Sequence, residues 1–275
     1  MEATQGDSQL DATANALNDA LPMLSPLSLG ELLDRALRQI MPIFGKMWIL
    51  FVILALINVG MQVLQGYGQQ YFFWSVWVVL FLYSIYLGLI AAFLASAHWC
   101  GTDTLLKRAL RRLRIWQIVQ LVGLFIWVSV ATFVGLLLFV IPGLVYAMNR
   151  CLVVYVLLIE RTTVFGALRK SKFLMTRTKW YSLSGPMMRI FGLSAVLWTM
   201  IIALAVIEGL SATLTLLDGI YFSSGLVVLF FSSLIGGALQ IFTQAAYVGF
   251  YYDLRTRYEG TDLMAQLSAY STQSR

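Results

Sequence analysis

Six long apolar stretches constrain this chain more than any other feature of its sequence. They cover residues 48–65, 72–99, 116–141, 144–160, 187–216 and 224–250. A transmembrane α-helix needs about 20 mostly apolar residues to cross roughly 30 Å of hydrocarbon. The chain is 60% hydrophobic and 12% charged, which leaves too little charged surface for a soluble protein of 275 residues. We therefore expect an all-α integral membrane protein with six transmembrane helices.

The Lys and Arg residues are concentrated in alternate segments between these spans. They lie before span 1, between spans 2 and 3, between spans 4 and 5, and after span 6, whereas the other three gaps contain none. Cationic loops tend to remain in the cytoplasm. This pattern predicts an inner (plasma) membrane protein with both termini in the cytoplasm.

The basic segments also predict a surface that attracts anionic lipids of the cytoplasmic leaflet, at about 1 kcal/mol for each cation near the membrane. A simpler interpretation is that these cations only orient the chain during insertion. The candidate contacts to anionic lipids are Arg108, Arg111, Arg112, Arg114, Arg169, Lys170 and Lys172.

Three amphipathic segments precede the three pairs of spans. The first begins at Ser28 and Glu31, which have the spacing of a capping box, and it is expected to end near Pro42 or Gly45. Each segment contains the tripeptide Ala-Leu-Arg, starting at positions 36, 109 and 167. The pattern predicts three inner-face amphipathic helices and three repeats of a helix plus a hairpin. Convergent use of Ala, Leu and Arg in basic interfacial helices is the alternative explanation.

The polar ends of the chain bound the membrane domain. Residues 1–26 are expected to form a disordered cytoplasmic tail without a cleavable signal peptide. Residues 27–263 form the six-span membrane domain, and residues 264–275 a second cytoplasmic tail. Within the domain, Pro142 and Gly143 suit a tight turn between spans 3 and 4 at the outer face.

A few polar residues interrupt the spans and define a candidate buried polar site. Arg150 lies inside span 4, where an unpaired cation is costly, and Glu208 lies inside span 5. A pair between them would neutralise both charges. The functional interpretation makes Arg150 a binding point for a lipid phosphate or carboxylate, and the structural interpretation makes it part of an ion pair. The full candidate set is Arg150, Glu208, Asn149, Gln240 and Gln244.

Other polar residues suggest packing rather than chemistry. Glu160 and Asp253 are expected to pair with the neighbouring Arg161 and Arg255, and Arg189 to extend to the headgroups. Small residues four apart in span 6 permit close helix packing. They are Ser232 with Gly236, and Ser233 with Gly237.

Catalytic, metal and cofactor sites are not expected. The chain has a single histidine, His98, and two cysteines, Cys100 and Cys151, whose spacing suits neither zinc nor a disulfide framework. It contains no nucleophile elbow around a serine and no phosphate-binding P-loop. No basic face on a soluble module is present that would bind nucleic acid.

Four short segments of the chain carry a resemblance to a known family. They are LSLGELLDRA at 27–36, IPGL at 141–144 with Arg150 and Glu160 after it, ALRKS at 167–171, and YYDLR at 251–255. These segments resemble uncharacterised bacterial integral membrane proteins, which are similar to the membrane domain attached to some glycerophosphoryl diester phosphodiesterases. The resemblance covers roughly residues 27–263. It implies a membrane module without the catalytic barrel, so no catalytic residue is carried over.

These features favour a non-enzymatic membrane protein. It would act as a scaffold or accessory module that engages anionic lipids, a membrane partner or a second copy through its basic cytoplasmic face. The alternative is a small transporter or lipid-handling protein that uses the pair of Arg150 and Glu208. An intramembrane enzyme is disfavoured because no nucleophile and base can be named together.

Overall fold

The described part of the chain is almost entirely helical and contains no β-strand. The computed structural model describes residues 27–66, 70–100, 106, 115–160, 162–176, 185–217 and 222–259. The helices are α1 (Leu29–Gly66), α2 (Gln70–Trp99), α3 (Ile115–Leu138), α4 (Val140–Arg150), α5 (Val153–Glu160), α6 (Val164–Thr176), α7 (Pro186–Leu217) and α8 (Phe222–Glu259).

Six stretches of these helices are long and apolar enough to cross a membrane, and the fourth of them combines α4 with α5. The predicted all-α, multi-pass fold with six spans is therefore confirmed. The two predicted tails and the basic segment 107–114, with its four candidate arginines, lie outside the described residues.

Helix α1 merges the first amphipathic segment with the first span. The predicted capping box is present, since the Ser28 amide donates to Glu31 Oε2 at 2.7 Å and the Glu31 amide donates to Ser28 Oγ at 3.2 Å. The predicted end near Pro42 or Gly45 is wrong, because the helix continues to Gly66. Pro42 is exposed, and a buried stripe continues past it. The stripe contains Leu32, Ala36, Ile43, Met47, Phe51 and Ala55.

Helix α8 is central to the bundle and packs along α1, α7 and α2. Its two small-residue pairs face different neighbours. A Cβ on Gly237 would lie 2.5 Å from the Phe51 ring of α1, and a Cβ on Gly236 would lie 3.2 Å from Leu204 of α7. Ser233 accepts a hydrogen bond from Asn58 of α1 at 3.4 Å. The predicted use of these residues in close helix packing is confirmed.

Helices α3 and α4 form a tight apolar hairpin. The helical run is interrupted at Phe139, whose backbone is extended. The turn is therefore at Phe139, and the predicted turn residues Pro142 and Gly143 lie in the first turn of α4. Proline is tolerated there because the first amides of a helix have no intrahelical acceptor. Gly143 instead permits close contact, since a Cβ there would lie 2.5 Å from the Leu136 amide nitrogen.

Helix α6 is the third predicted amphipathic segment. Ala167, Ser171, Leu174 and Met175 form its buried face, while Arg169 and Lys172 are exposed. The buried face packs against α5 and α4, so the helix contacts the interrupted fourth span over much of its length.

Three helix ends from distant parts of the described chain meet at one end of the bundle, which we call the basic end. The Arg35 guanidinium lies 5.8 Å from the centre of the Trp99 ring. Cys100 Sγ donates to Tyr252 Oη at 3.2 Å. These contacts join the start of α1, the end of α2 and the end of α8, all of which carry or adjoin cationic segments.

Candidate functional site

A cavity of about 370 Å³ lies between α2, α3, the break in the fourth span and α8. Its walls are mainly aliphatic and aromatic. Three predicted site residues line it together, namely Arg150, Gln240 and Gln244, along with Ser84, Cys151 and Tyr155. Among the described lining residues there is one cation and no carboxylate.

Arg150 is the last residue of α4, and Cys151 and Leu152 separate it from α5. Its guanidinium donates a hydrogen bond to the Leu168 carbonyl of α6. It also lies 5.6 Å from the centre of the Tyr146 ring. The break in the span therefore places a cation at the cavity wall and holds it from two sides.

Asn149 connects the same break to α6. Its backbone carbonyl accepts a hydrogen bond from Ser171 Oγ at 2.8 Å. Its side-chain Oδ1 is buried and has no hydrogen-bond partner among the described residues. Asn149 thus supports the position of α6 beside Arg150.

The two glutamines face the cavity from α8. Gln240 Nε2 donates to the Ser84 carbonyl at 2.8 Å, and Tyr155 Oη donates to Gln244 Oε1 at 2.9 Å. Both amide groups approach Gly88, where an added Cβ would lie 3.1 Å from Gln240 Nε2 and 3.4 Å from Gln244 Nε2. Glycine at this position leaves room for two polar groups in an otherwise apolar wall.

Glu208 lies apart from this cavity. It hydrogen-bonds with Ser232 of α8, and Ser232 precedes Gln240 by eight residues, or about 12 Å along the helix. Arg150 and Glu208 therefore have different partners, and the structure does not bring them together as the hypothesised pair.

The cations of α6 divide into two groups. Lys170 Nζ lies 2.6 Å from Glu160 Oε1, and Glu160 also accepts a hydrogen bond from Tyr251. Arg169 and Lys172 are exposed. Of the described candidates for lipid contact, these two have the accessibility that the hypothesis requires.

The structure also contains a charged cluster that the sequence did not predict. The buried Asp253 carboxylate lies 2.5 Å from Arg189 and 3.0 Å from Arg257, and it accepts a hydrogen bond from the Leu27 amide at 2.7 Å. Arg189 also donates to the Leu27 carbonyl at 2.6 Å.

Two expectations at the basic end are therefore corrected. Asp253 pairs with Arg189 and Arg257 rather than with Arg255, and Arg189 is held by Asp253 and Leu27 rather than extending to the headgroups. The spacing of Asp253 and Arg257 by one helical turn was a usable signal. Nothing in the sequence indicated that Arg189 or Leu27 would join them.

Within the described residues, no group of three or more His, Cys, Asp or Glu side chains could hold a metal ion. The fold and cavity define a multi-pass α-helical membrane protein with a cationic, largely apolar cavity inside the bundle. Comparison of the chain with protein-family models, curated proteins and solved structures finds no match.

Proposed function

We propose that this protein is a non-enzymatic, lipid-handling membrane protein that binds the anionic headgroup of an amphiphile at Arg150. The observation that carries the proposal is the position of this cation at a mainly apolar cavity with no described carboxylate among its lining residues. Ligand sites typically combine apolar walls with a few well-placed polar groups. A cation inside a membrane span is costly unless it is paired, so an anionic ligand would stabilise it.

The neighbouring groups support binding rather than catalysis. Gln240 and Gln244 already have partners in Ser84 and Tyr155, while the aliphatic walls suit a hydrocarbon chain. Cys151 is the one thiol among the described lining residues, and no histidine stands beside it there to act as a base. The proposal needs no cofactor.

The membrane and its sidedness are part of the proposal. The alternation of segments with and without Lys and Arg supports a basic end in the cytoplasm. The membrane that we propose is the inner membrane of a bacterium. The resemblance to the membrane domain of glycerophosphoryl diester phosphodiesterases stays a prediction, and ligand binding at Arg150 does not depend on it.

A scaffold function is the second candidate. The exposed Arg169 and Lys172 on α6 favour it, because they can attract anionic lipids or an acidic partner at the surface of the bundle. In this case lipid would be retained by the surface of the protein rather than by its cavity.

One binding experiment separates the two candidates. The purified, delipidated protein is titrated with palmitate or with neutral hexadecanol at alkaline pH, and bound ligand is counted by native mass spectrometry. We expect palmitate to bind more tightly than hexadecanol. Arg150→Gln should weaken palmitate binding on the order of 10-fold or more, because a hydrogen bond to a charged group contributes about 1.5–3 kcal/mol.

The controls are Arg150→Lys, which keeps the charge, and the double variant Arg169→Gln with Lys172→Gln, which leaves the cavity intact. Both should retain most of the preference for palmitate. If the double variant loses this preference while Arg150→Gln keeps it, the scaffold candidate is supported and the cavity proposal is wrong.

A further inference from the structure

The register of the α3–α4 hairpin shows at which end of the cavity Arg150 lies. Gly135 and Gly143 contact each other four residues on either side of Phe139. Extending this register along both helices brings residue 128 of α3 level with residue 150 of α4. Val128 and Arg150 both line the cavity, so the cation lies at the end of the cavity that is closer to the hairpin tip.

From that end the cavity continues along two helices. The lining residues run from Phe81 to Leu89 on α2 and from Val128 to Leu121 on α3. Eight residues of helix correspond to about 12 Å. The walls beyond Arg150 are aliphatic on the α3 side, with Leu124 and Leu121 almost fully buried. The cavity is thus an elongated slot with a cation near one end.

A gap between the described parts of α2 and α3 borders the slot. Helix α2 packs against α1, α5 and α8, whereas α3 packs against α4 and α5, and the described parts of α2 and α3 have little contact with each other. Phe81, at the edge of the slot, is 51% exposed. An amphiphile could therefore pass between α2 and α3 directly from the hydrocarbon without crossing water.

We infer that the slot holds a single-chain anionic amphiphile, with its headgroup at Arg150 and its chain along α2 and α3, and that this ligand enters sideways between those helices. The slot is narrow, because its volume is about 370 Å³ and its length along the helices is about 12 Å. It has room for the part of one hydrocarbon chain that is nearest the headgroup and not for two chains side by side. This inference rests on the proposed function and specifies its ligand class.

The first test compares ligands that differ only in chain number. Lysophosphatidate and phosphatidate, with the same phosphate headgroup and palmitoyl chains, are titrated into the delipidated protein and measured by native mass spectrometry. We expect lysophosphatidate to bind at least 10-fold more tightly than phosphatidate, and Arg150→Gln to weaken the binding of lysophosphatidate. Equal binding of both lipids with equal dependence on Arg150 would overturn the single-chain inference while leaving the proposed function intact.

The second test obstructs the slot with a matched pair of variants. Val128→Phe places a ring in the cavity wall on α3, the helix that borders the gap, whereas Ile126→Phe places the same ring on an exposed face of α3, where Ile126 is 56% exposed. Val128→Phe should reduce lysophosphatidate binding and its rate of uptake from vesicles, and Ile126→Phe should leave both unchanged.

If uptake by Val128→Phe equals that of the unmodified protein, the sideways route is wrong. If lysophosphatidate and palmitate both bind Arg150→Gln as tightly as the unmodified protein, the proposed function itself fails. Thermal unfolding of every variant checks that the bundle remains folded.

Discussion

Asp253 is a buried anion at the basic end of the bundle, where it connects several elements. Its side chain is fully buried, and its two arginine partners come from different helices, with Arg189 only 12% exposed. The same carboxylate binds the Leu27 amide, which fixes the chain just before α1. One anion therefore joins the beginning of α1 to α7 and α8.

Removing this charge should destabilise the protein strongly. Asp253→Asn leaves two partly buried guanidinium groups without their counter-charge, and breaking such a pair from one side costs on the order of 3 kcal/mol. The measurement is thermal unfolding in detergent. Asp34→Asn is the control, because the pair of Asp34 and Arg38 is mostly exposed and such pairs contribute little. A similar small effect of both variants would contradict the structural importance of Asp253.

At the scale of helices, glycines determine how closely the elements pack. Gly143 in α4 faces the backbone of Leu136 in α3, so the two helices of the hairpin touch without an intervening side chain. Residues at the tip, including Leu138, Phe139 and Ile141, are strongly exposed and apolar. This hairpin also sets the register that brings Arg150 level with Val128.

Gly143→Ala should open the hairpin, because the new methyl group would meet backbone atoms that cannot rotate away. Overpacking of this kind costs about 1–3 kcal/mol, and thermal unfolding measures it. Gly123→Ala in α3 is the matched control, since nothing lies within 4 Å of a Cβ at that position. The control should be neutral or slightly stabilising because alanine favours helix. Equal stability of the two variants would mean that the close contact is unimportant.

At the scale of the whole molecule, helix ends that carry or adjoin cationic segments lie together at the basic end in the described part of the chain. The contacts of Arg35 with Trp99, of Cys100 with Tyr252 and of Lys170 with Glu160 connect these ends into one region. Because Leu27 contacts Arg257, both ends of the described chain are also found there.

Cysteine labelling tests the sidedness. In a background in which Ser replaces Cys100 and Cys151, Arg38→Cys and Lys172→Cys are labelled with an impermeant maleimide in vesicles of defined orientation. We expect both positions to react in inside-out vesicles and neither in right-side-out vesicles. Reaction of the two positions from opposite sides would refute a common basic end, and reaction of both from the outside would refute its proposed cytoplasmic location.

The sequence alone determined the helical class, the number of spans and the start of α1. These features depend on local composition and on periodicity: a run of apolar residues specifies a span whatever surrounds it, and Ser28 and Glu31 cap a helix through contacts three residues apart. The amphipathic character of α6 and the close packing expected at Gly236 and Gly237 followed from the same local patterns.

Only the tertiary structure decided the partners of the charged residues and the location of the site. The sequence suggested that Arg150 and Glu208 pair with each other, but Arg150 contacts Leu168 of α6 and lines the cavity, while Glu208 contacts Ser232. Pro42 did not end α1 because packing against α8 continues on the opposite face. Such outcomes depend on contacts between residues far apart in the chain, whose geometry no local pattern encodes.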